Sequence, residues 1–127
     1  MAKILVIEDE LSLQKAMVDV LNITGYEALG ASDGEEGLQM ARLEKPDLIL
    51  LDIILPKMNG FDVLKSLKGD EATKPIPVIM LTNLESSGDI EQALSLGAMT
   101  YLVKTNYELD DIMKRVKDVL AKTAKKS

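Results

Sequence analysis

The 127-residue chain contains no cysteine, no histidine and no tryptophan, and aromatic residues make up only 3% of it. Without cysteine there is no disulfide, no thiol nucleophile and no Cys-ligated zinc. The lack of histidine removes the commonest metal ligand and the usual general base near neutral pH, and with it any Ser-His-Asp triad. No apolar run approaches the roughly 20 residues of a membrane span. The opening KILVI (3–7) is cut short by Glu8-Asp9-Glu10, which is not a signal-peptide pattern. A cytoplasmic protein with no membrane partner is therefore expected. Positive charge is also scarce, with 15 Lys and Arg against 21 Asp and Glu, for a net charge of −6. Such a surface argues against direct nucleic-acid binding, which needs clustered cations. The one basic cluster, residues 121–127, reads as a solvated, fraying tail.

Short aliphatic runs are present instead: KILVI (3–7), YEALGA (26–31), LILL (48–51), VIML (78–81) and YLV (101–103). Between them apolar residues recur at helical spacing. Leu13, Met17, Val20 and Leu21 share one face of a segment that stops at Gly25, a good residue just past a helix end. A second helix begins at Asp33-Gly-Glu-Glu36, with acids in its first turn, and ends before Pro46. Phe61, Leu64 and Leu67 mark a third, closed by Gly69; Ile90, Ala93 and Leu94 mark a fourth, closed by Gly97; Leu109, Ile112, Met113, Val116 and Leu120 mark a fifth. Strand and helix thus alternate through the chain, which predicts an α/β fold with a parallel sheet and right-handed crossovers. Apart from the second, the strand runs are almost wholly apolar, as strands buried on both faces should be. No repeat or internal linker interrupts the pattern, so a single domain is expected.

The polar residues fall in a pattern of their own. KILVI is followed by Glu8 and Asp9, LILL by Asp52, VIML by Thr82 and YLV by Lys104. All lie at carboxyl ends of parallel strands, the edge where open α/β sheets bind ligands. One carboxylate at a strand end is usually just solvated. Three of them with a hydroxyl and an ammonium are a different matter. Nearby carboxylates repel, so either one is protonated or a cation joins them. Oxygen ligands without His or Cys select a hard cation such as Mg²⁺. A divalent cation, an ammonium and a hydroxyl donor around one carboxylate would form a socket for a tetrahedral dianion. Attack by Asp52 on a phosphoryl group would then be nucleophilic catalysis giving an acyl phosphate.

At this point the chain resembles a response-regulator receiver domain of two-component signalling, of the chemotaxis-regulator type. The resemblance covers roughly residues 3–120 and rests on Glu8-Asp9, on Asp52 with Pro56 and Gly60 downstream, on Thr82, and on Tyr101-x-x-Lys104. It implies a flavodoxin-like (βα)5 doubly wound sandwich with strand order 2-1-3-4-5, a receiver domain over residues 1–122 and a disordered basic tail over 123–127. Asp52 matches the phosphoacceptor. Asp9 would bind Mg²⁺ directly, Glu8 through water, and the Ile54 carbonyl would be a further ligand beside Asp52. Lys104 would pair with Asp52 or the phosphoryl oxygens. Thr82 would move to the phosphoryl group and let Tyr101 turn inward, remodelling the face of helix 4, strand 5 and helix 5, where a protein target or a second copy would dock. The chain would catalyse only its own phosphorylation and dephosphorylation. With no histidine of its own, it needs a separate histidine kinase or phosphotransfer protein as donor. It ends about a turn past the fifth helix, so no helix-turn-helix output is expected within it; it would be a stand-alone regulator or a receiver excised from a longer protein.

Some positions depart from the family pattern. Lys104 is followed by Thr105 instead of a cis-linked proline, and a cis bond there would cost about 3 kcal/mol. Asn83 stands where a small residue usually adjoins the phosphoryl pocket, and the rate-tuning positions Ile54 and Leu84 are both apolar. Thr105 keeps open a pseudo-receiver that binds partners without phosphorylation. A Mg²⁺-dependent aspartyl phosphohydrolase would need a second acid two residues after Asp52, where Ile54 stands, and a flavin carrier would need a phosphate-binding loop where this chain has Glu8-Asp9-Glu10.

Overall fold

In the computed structural model of the chain, which describes residues 2–53, 55–56, 58–82, 87–103 and 109–124, strands and helices alternate throughout. They run β1 (Lys3–Ile7), α1 (Leu11–Thr24), β2 (Glu27–Ala31), α2 (Gly34–Glu44), β3 (Leu48–Asp52), α3 (Gly60–Gly69), β4 (Val78–Thr82), α4 (Ser87–Ser95), β5 (Thr100–Val103) and α5 (Leu109–Ala124). The strands form one parallel sheet in the order β2-β1-β3-β4-β5. This is the flavodoxin-like order that the sequence resemblance implied.

The unbroken apolar runs are explained by a core on each face of the sheet. Leu5, Ile7, Ile49, Leu51, Val78 and Met80 face α2, α3 and α4, burying Leu38, Val63, Leu64, Leu67 and Ala93. The alternate residues Ile4, Val6, Leu48, Leu50, Ile79 and Leu81 pack with Met17 and Leu21 of α1 and with Ile112, Val116 and Val119 of α5. A strand with helices on both sides has no solvent face and hence no polar alternation.

Local signals set the helix ends. Asp33 caps α2 by accepting from the Glu36 amide at 2.8 Å, and the Glu36 carboxylate accepts from the Ser32 amide at 2.7 Å. Asn59 caps α3 by accepting from the Asp62 amide at 3.0 Å. Gly25 and Gly97 take the left-handed conformation expected past α1 and α4, with φ of 111° and 109°. Gly69 does not close α3 in that way. It is the last helical residue, followed by an extended Asp70, whose carboxylate accepts from Arg42 Nε of α2 at 2.8 Å and from the Ala72 amide at 2.9 Å. Another departure is Leu94, expected on the inner face of α4 but 43% exposed. No helix among the described residues is long and apolar enough to cross a membrane.

Candidate functional site

The order β2-β1-β3 makes β1 and β3 neighbours although a strand intervenes in sequence, so chain direction across the sheet reverses between them. The crevice at the carboxyl ends of such a pair is the ligand-binding edge of an open α/β sheet. Ile7 and Leu51 are partners in the β1–β3 ladder, and beyond each comes an acid. Asp52 closes β3, with its main chain opposite Leu81 of β4. Glu8 follows β1, and its amide donates to the Ala31 carbonyl of β2 at 3.0 Å. Both carboxylates are buried, whereas Asp9 is exposed at the rim. Glu8 Oε2 also accepts from the Glu10 amide at 3.3 Å.

Glu8, Asp9 and Asp52 each bring a carboxylate oxygen to within 4.8 Å of the others. Ligand oxygens on opposite sides of Mg²⁺ are separated by roughly 4 Å, from metal–oxygen bonds of about 2.0–2.1 Å. The cluster is therefore close to the spacing of a hard-cation site. Three carboxylates this close, two of them buried, gain more from a shared divalent cation than from any monovalent partner. The donor set, all oxygen, fits Mg²⁺ in kind as well as in spacing.

The expected site residues divide into groups. Glu8, Asp9 and Asp52 come together as the sequence suggested. Thr82 closes β4, opposite Val103 of β5, but its side chain lies outside what is described. Tyr101 is a β5 residue opposite Met80, half-buried and packed against the core beneath α3 and α4. Ile54, Asn83, Leu84, Lys104 and the Lys104-Thr105 bond lie outside the described residues.

Sequence reasoning gave no role to Gln14, whose amide nitrogen donates to the main chain of Glu8. Gly60 entered only as part of the family resemblance. Asn59 is a helix cap, and Gly60 lies against the Asp52 carbonyl, with its amide donating to Ile53 O at 2.6 Å. An Asn-Gly pair closing the loop after a buried acid was the available signal for these two. Gln14 had none, because its partners are on other elements.

Comparison with known proteins agrees with this geometry. A family model described as Response regulator receiver domain matches residues 4–117. The chain is 38% identical over 123 residues to the DNA-binding dual master transcriptional regulator RpaA of Synechocystis sp., an alignment covering 97% of the chain and 51% of that protein. It spans about half the length of the curated relatives it matches. Among solved structures, the CheY-like receiver domain protein of Methanospirillum hungatei superposes with a TM-score of 0.93 at 27% identity, covering 100% of this chain and 99% of that one. The receiver domain of the sensor histidine kinase PA1611 of Pseudomonas aeruginosa superposes with a TM-score of 0.85 at 26% identity, covering 94% and 98%. That structure has a magnesium ion coordinated in its active site cleft.

Proposed function

The chain belongs to the response-regulator receiver family, and on that premise we propose that it is a phosphorylation-controlled signalling domain with Asp52 as phosphoacceptor. One observation carries the reading: Glu8, Asp9 and Asp52 converge within 4.8 Å at the switch point of the sheet, with Asp52 buried at the end of a central strand. An Asp52 oxygen attacks the phosphorus of a phosphohistidine on a separate kinase or phosphotransfer protein. The new O–P bond gives an acyl phosphate as the N–P bond breaks, and the departing imidazole takes up a proton.

Glu8, Asp9 and Asp52 would hold Mg²⁺, Asp9 and Asp52 directly and Glu8 through water, with the Ile54 carbonyl completing the protein ligands. The ion supplies positive charge that offsets the carboxylates and the transferring phosphoryl oxygens. Burial keeps Asp52 in one orientation and limits access of bulk water to the acyl phosphate. Lys104 pairs with the phosphoryl oxygens, and Thr82 donates to them. Ile54 and Leu84, both apolar, offer no side chain that could orient a hydrolytic water, and Asn83 would be the polar residue available for it. The phosphorylated form is accordingly slow to hydrolyse, and the chain turns over no external substrate.

The proposed output is the face of α4, β5 and α5, which meets a protein target or a second copy. The sequence-based exclusion of nucleic acid applies only to this domain's own surface. RpaA is DNA-binding and about twice as long as this chain, so in a protein of that organisation DNA would be a partner of the additional segment. The receiver domain extends over residues 1–122 in this reading, with 123–127 a basic tail, although α5 itself continues to Ala124.

The test is intact-mass analysis after incubation with Mg²⁺ and a small phosphodonor. Wild type gains one phosphoryl group, and Asp52→Asn gains none. Equal labelling of the two proteins rules out Asp52 as acceptor, and no labelling of wild type favours the pseudo-receiver.

A further inference from the structure

Outside the acid cluster, Gln14 holds the segment of chain on which two of the acids are mounted. It lies in the first turn of α1, half-buried, and its Nε2 donates to the Glu8 carbonyl at 2.8 Å and to the Ala31 carbonyl at 2.9 Å. Ser32 Oγ is a more distant acceptor at 3.4 Å. A carboxamide has two N–H donors, one for each carbonyl. The carbonyls sit where the β1–β2 ladder ends, and that of Ala31 also accepts from the Glu8 amide. One side chain therefore joins three elements at the edge of the site.

The Glu8 carbonyl belongs to the peptide that links Glu8 to Asp9. That peptide is planar, so fixing its oxygen fixes the plane from which the following Asp9 departs. The opposite side of the amide also has a matched neighbour. Gln14 Oε1 lies against Gly30, where a Cβ would collide with it. Gly30 is a strand residue without positive φ, so the backbone itself does not call for glycine. A glycine inside a strand marks close approach by another group, and here that group is the Gln14 amide.

We propose that Gln14 is a positioning residue for the cation site. Its two hydrogen bonds set the direction in which Glu8 and Asp9 present their carboxylates, and thereby set the affinity for Mg²⁺. Gly30 is part of the same device, since it leaves the space in which the amide is held. This rests on the metal-site reading above.

The experiment is an MgCl₂ titration of the full chain followed by amide NMR, with melting temperature in Mg²⁺-free buffer measured in parallel. Outer partners of metal ligands contribute 10–100-fold to affinity, and because Gln14 bonds the main chain of Glu8 rather than a carboxylate, Gln14→Met should raise the Mg²⁺ Kd by about tenfold. Gly30→Ala pushes the amide aside without removing it and should raise the Kd in the same direction. The double variant should be no weaker than Gln14→Met alone, because the two changes disable one contact. Asn22→Ala is the control: Asn22 Oδ1 accepts from the Ala28 amide at 2.9 Å, another tie between α1 and β2 but at the end of β2 away from the acids. It should lower the melting temperature and leave the Kd unchanged. A Gln14→Met protein with the wild-type Kd overturns the proposal, as does an equal loss of affinity in Asn22→Ala. Wild type that binds no Mg²⁺, or Asp9→Asn that binds as well as wild type, overturns the metal site itself and this inference with it.

Discussion

Gly60 leaves no room for a side chain beside Asp52: a Cβ there would collide with the Asp52 carbonyl oxygen and lie 2.6 Å from Ile53 Cα. The first residue of α3 is folded back on the exit of β3 and held by the hydrogen bond from the Gly60 amide to Ile53 O at 2.6 Å. The neighbours are main-chain atoms of a buried strand end, which cannot swing aside as the tip of a side chain could.

Alanine at Gly60 therefore has to part β3 from α3. Forcing a methyl group into a packed interior costs about 1–3 kcal/mol. Urea denaturation of Gly60→Ala should show a loss of that size. The displaced strand end should also slow Mg²⁺-dependent labelling of Asp52 under native conditions. Wild-type stability in this variant would show that the loop relaxes freely and that Gly60 does not hold Asp52.

Asp9 is the exposed member of the acid cluster, so its charge can be removed with little damage to the fold. Asp9→Asn deletes one of the mutually repelling carboxylates and should melt no lower than wild type in Mg²⁺-free buffer. Saturating Mg²⁺ should stabilise wild type by mass action, by about 2.7 kcal/mol at a hundredfold excess over Kd, and should stabilise the variant far less. Melting curves with and without MgCl₂ give both comparisons. A Mg²⁺-dependent shift as large in Asp9→Asn as in wild type would remove Asp9 from the site.

A pH effect is expected at the far end of α3. The Arg42 guanidinium bonded to Asp70, helped by the Ala72 amide, holds the Asp70 carboxyl below the usual carboxylate range. An acid with a depressed folded-state pKa adds stability above its unfolded value of about 3.9, and that stability is lost as pH falls through the folded value. Asp70→Asn should therefore be less stable than wild type at neutral pH, with the difference shrinking below about pH 4. The pair is well exposed, so the effect should be small and weakened by salt. Urea midpoints measured from neutral to acid pH test this; a gap between the two proteins that does not change with pH would mean that the ion pair is not its source.

Much of the fold was legible because burial on both faces leaves a direct mark. KILVI, LILL and VIML have no polar alternation, and after Lys3 each of their residues packs into one of the cores flanking the sheet. The acids were legible for a related reason: Glu8 and Asp52 each end an apolar run, and parallel strands bring such ends to one edge. Contacts between elements far apart in sequence left no such mark. Gly37 breaks an otherwise ordinary helix, and its reason is that α2 comes so close to β1 that a Cβ would lie 2.5 Å from Ile7 Cδ1. Gln14 looks like a solvated polar residue until β1 and β2 are placed beside α1. Gly69 carries the composition of a left-handed cap, yet at this helix end the chain instead turns through Asp70 and its bond to Arg42.

The proposed output predicts a loss of coupling when Thr82 is changed. Met80 and Thr82 of β4 lie opposite Tyr101 and Val103 of β5, so the two strands form one ladder from the end of the site toward Tyr101. Tyr101 is half-buried against the core shared with α3 and α4, which makes it the large side chain placed to respond when that neighbourhood is rearranged. Phosphorylation turns the Asp52 position into a dianion, and Thr82 is the uncharged donor proposed to move toward it. In this proposal the space so left would be filled by an inward turn of Tyr101, which would reshape the face of α4, β5 and α5. Phosphorylation can shift that equilibrium only as far as it favours one state over the other. Thr82→Ala should therefore still be phosphorylated on Asp52 while Tyr101 and the α4–β5 amides respond weakly. The measurement is ¹⁹F NMR of fluorotyrosine-labelled protein together with amide NMR, with and without beryllofluoride as a phosphoryl mimic. If the Thr82→Ala protein shows the full wild-type shifts at Tyr101 and along α4, the signal reaches that face by another route and Thr82 is not the relay.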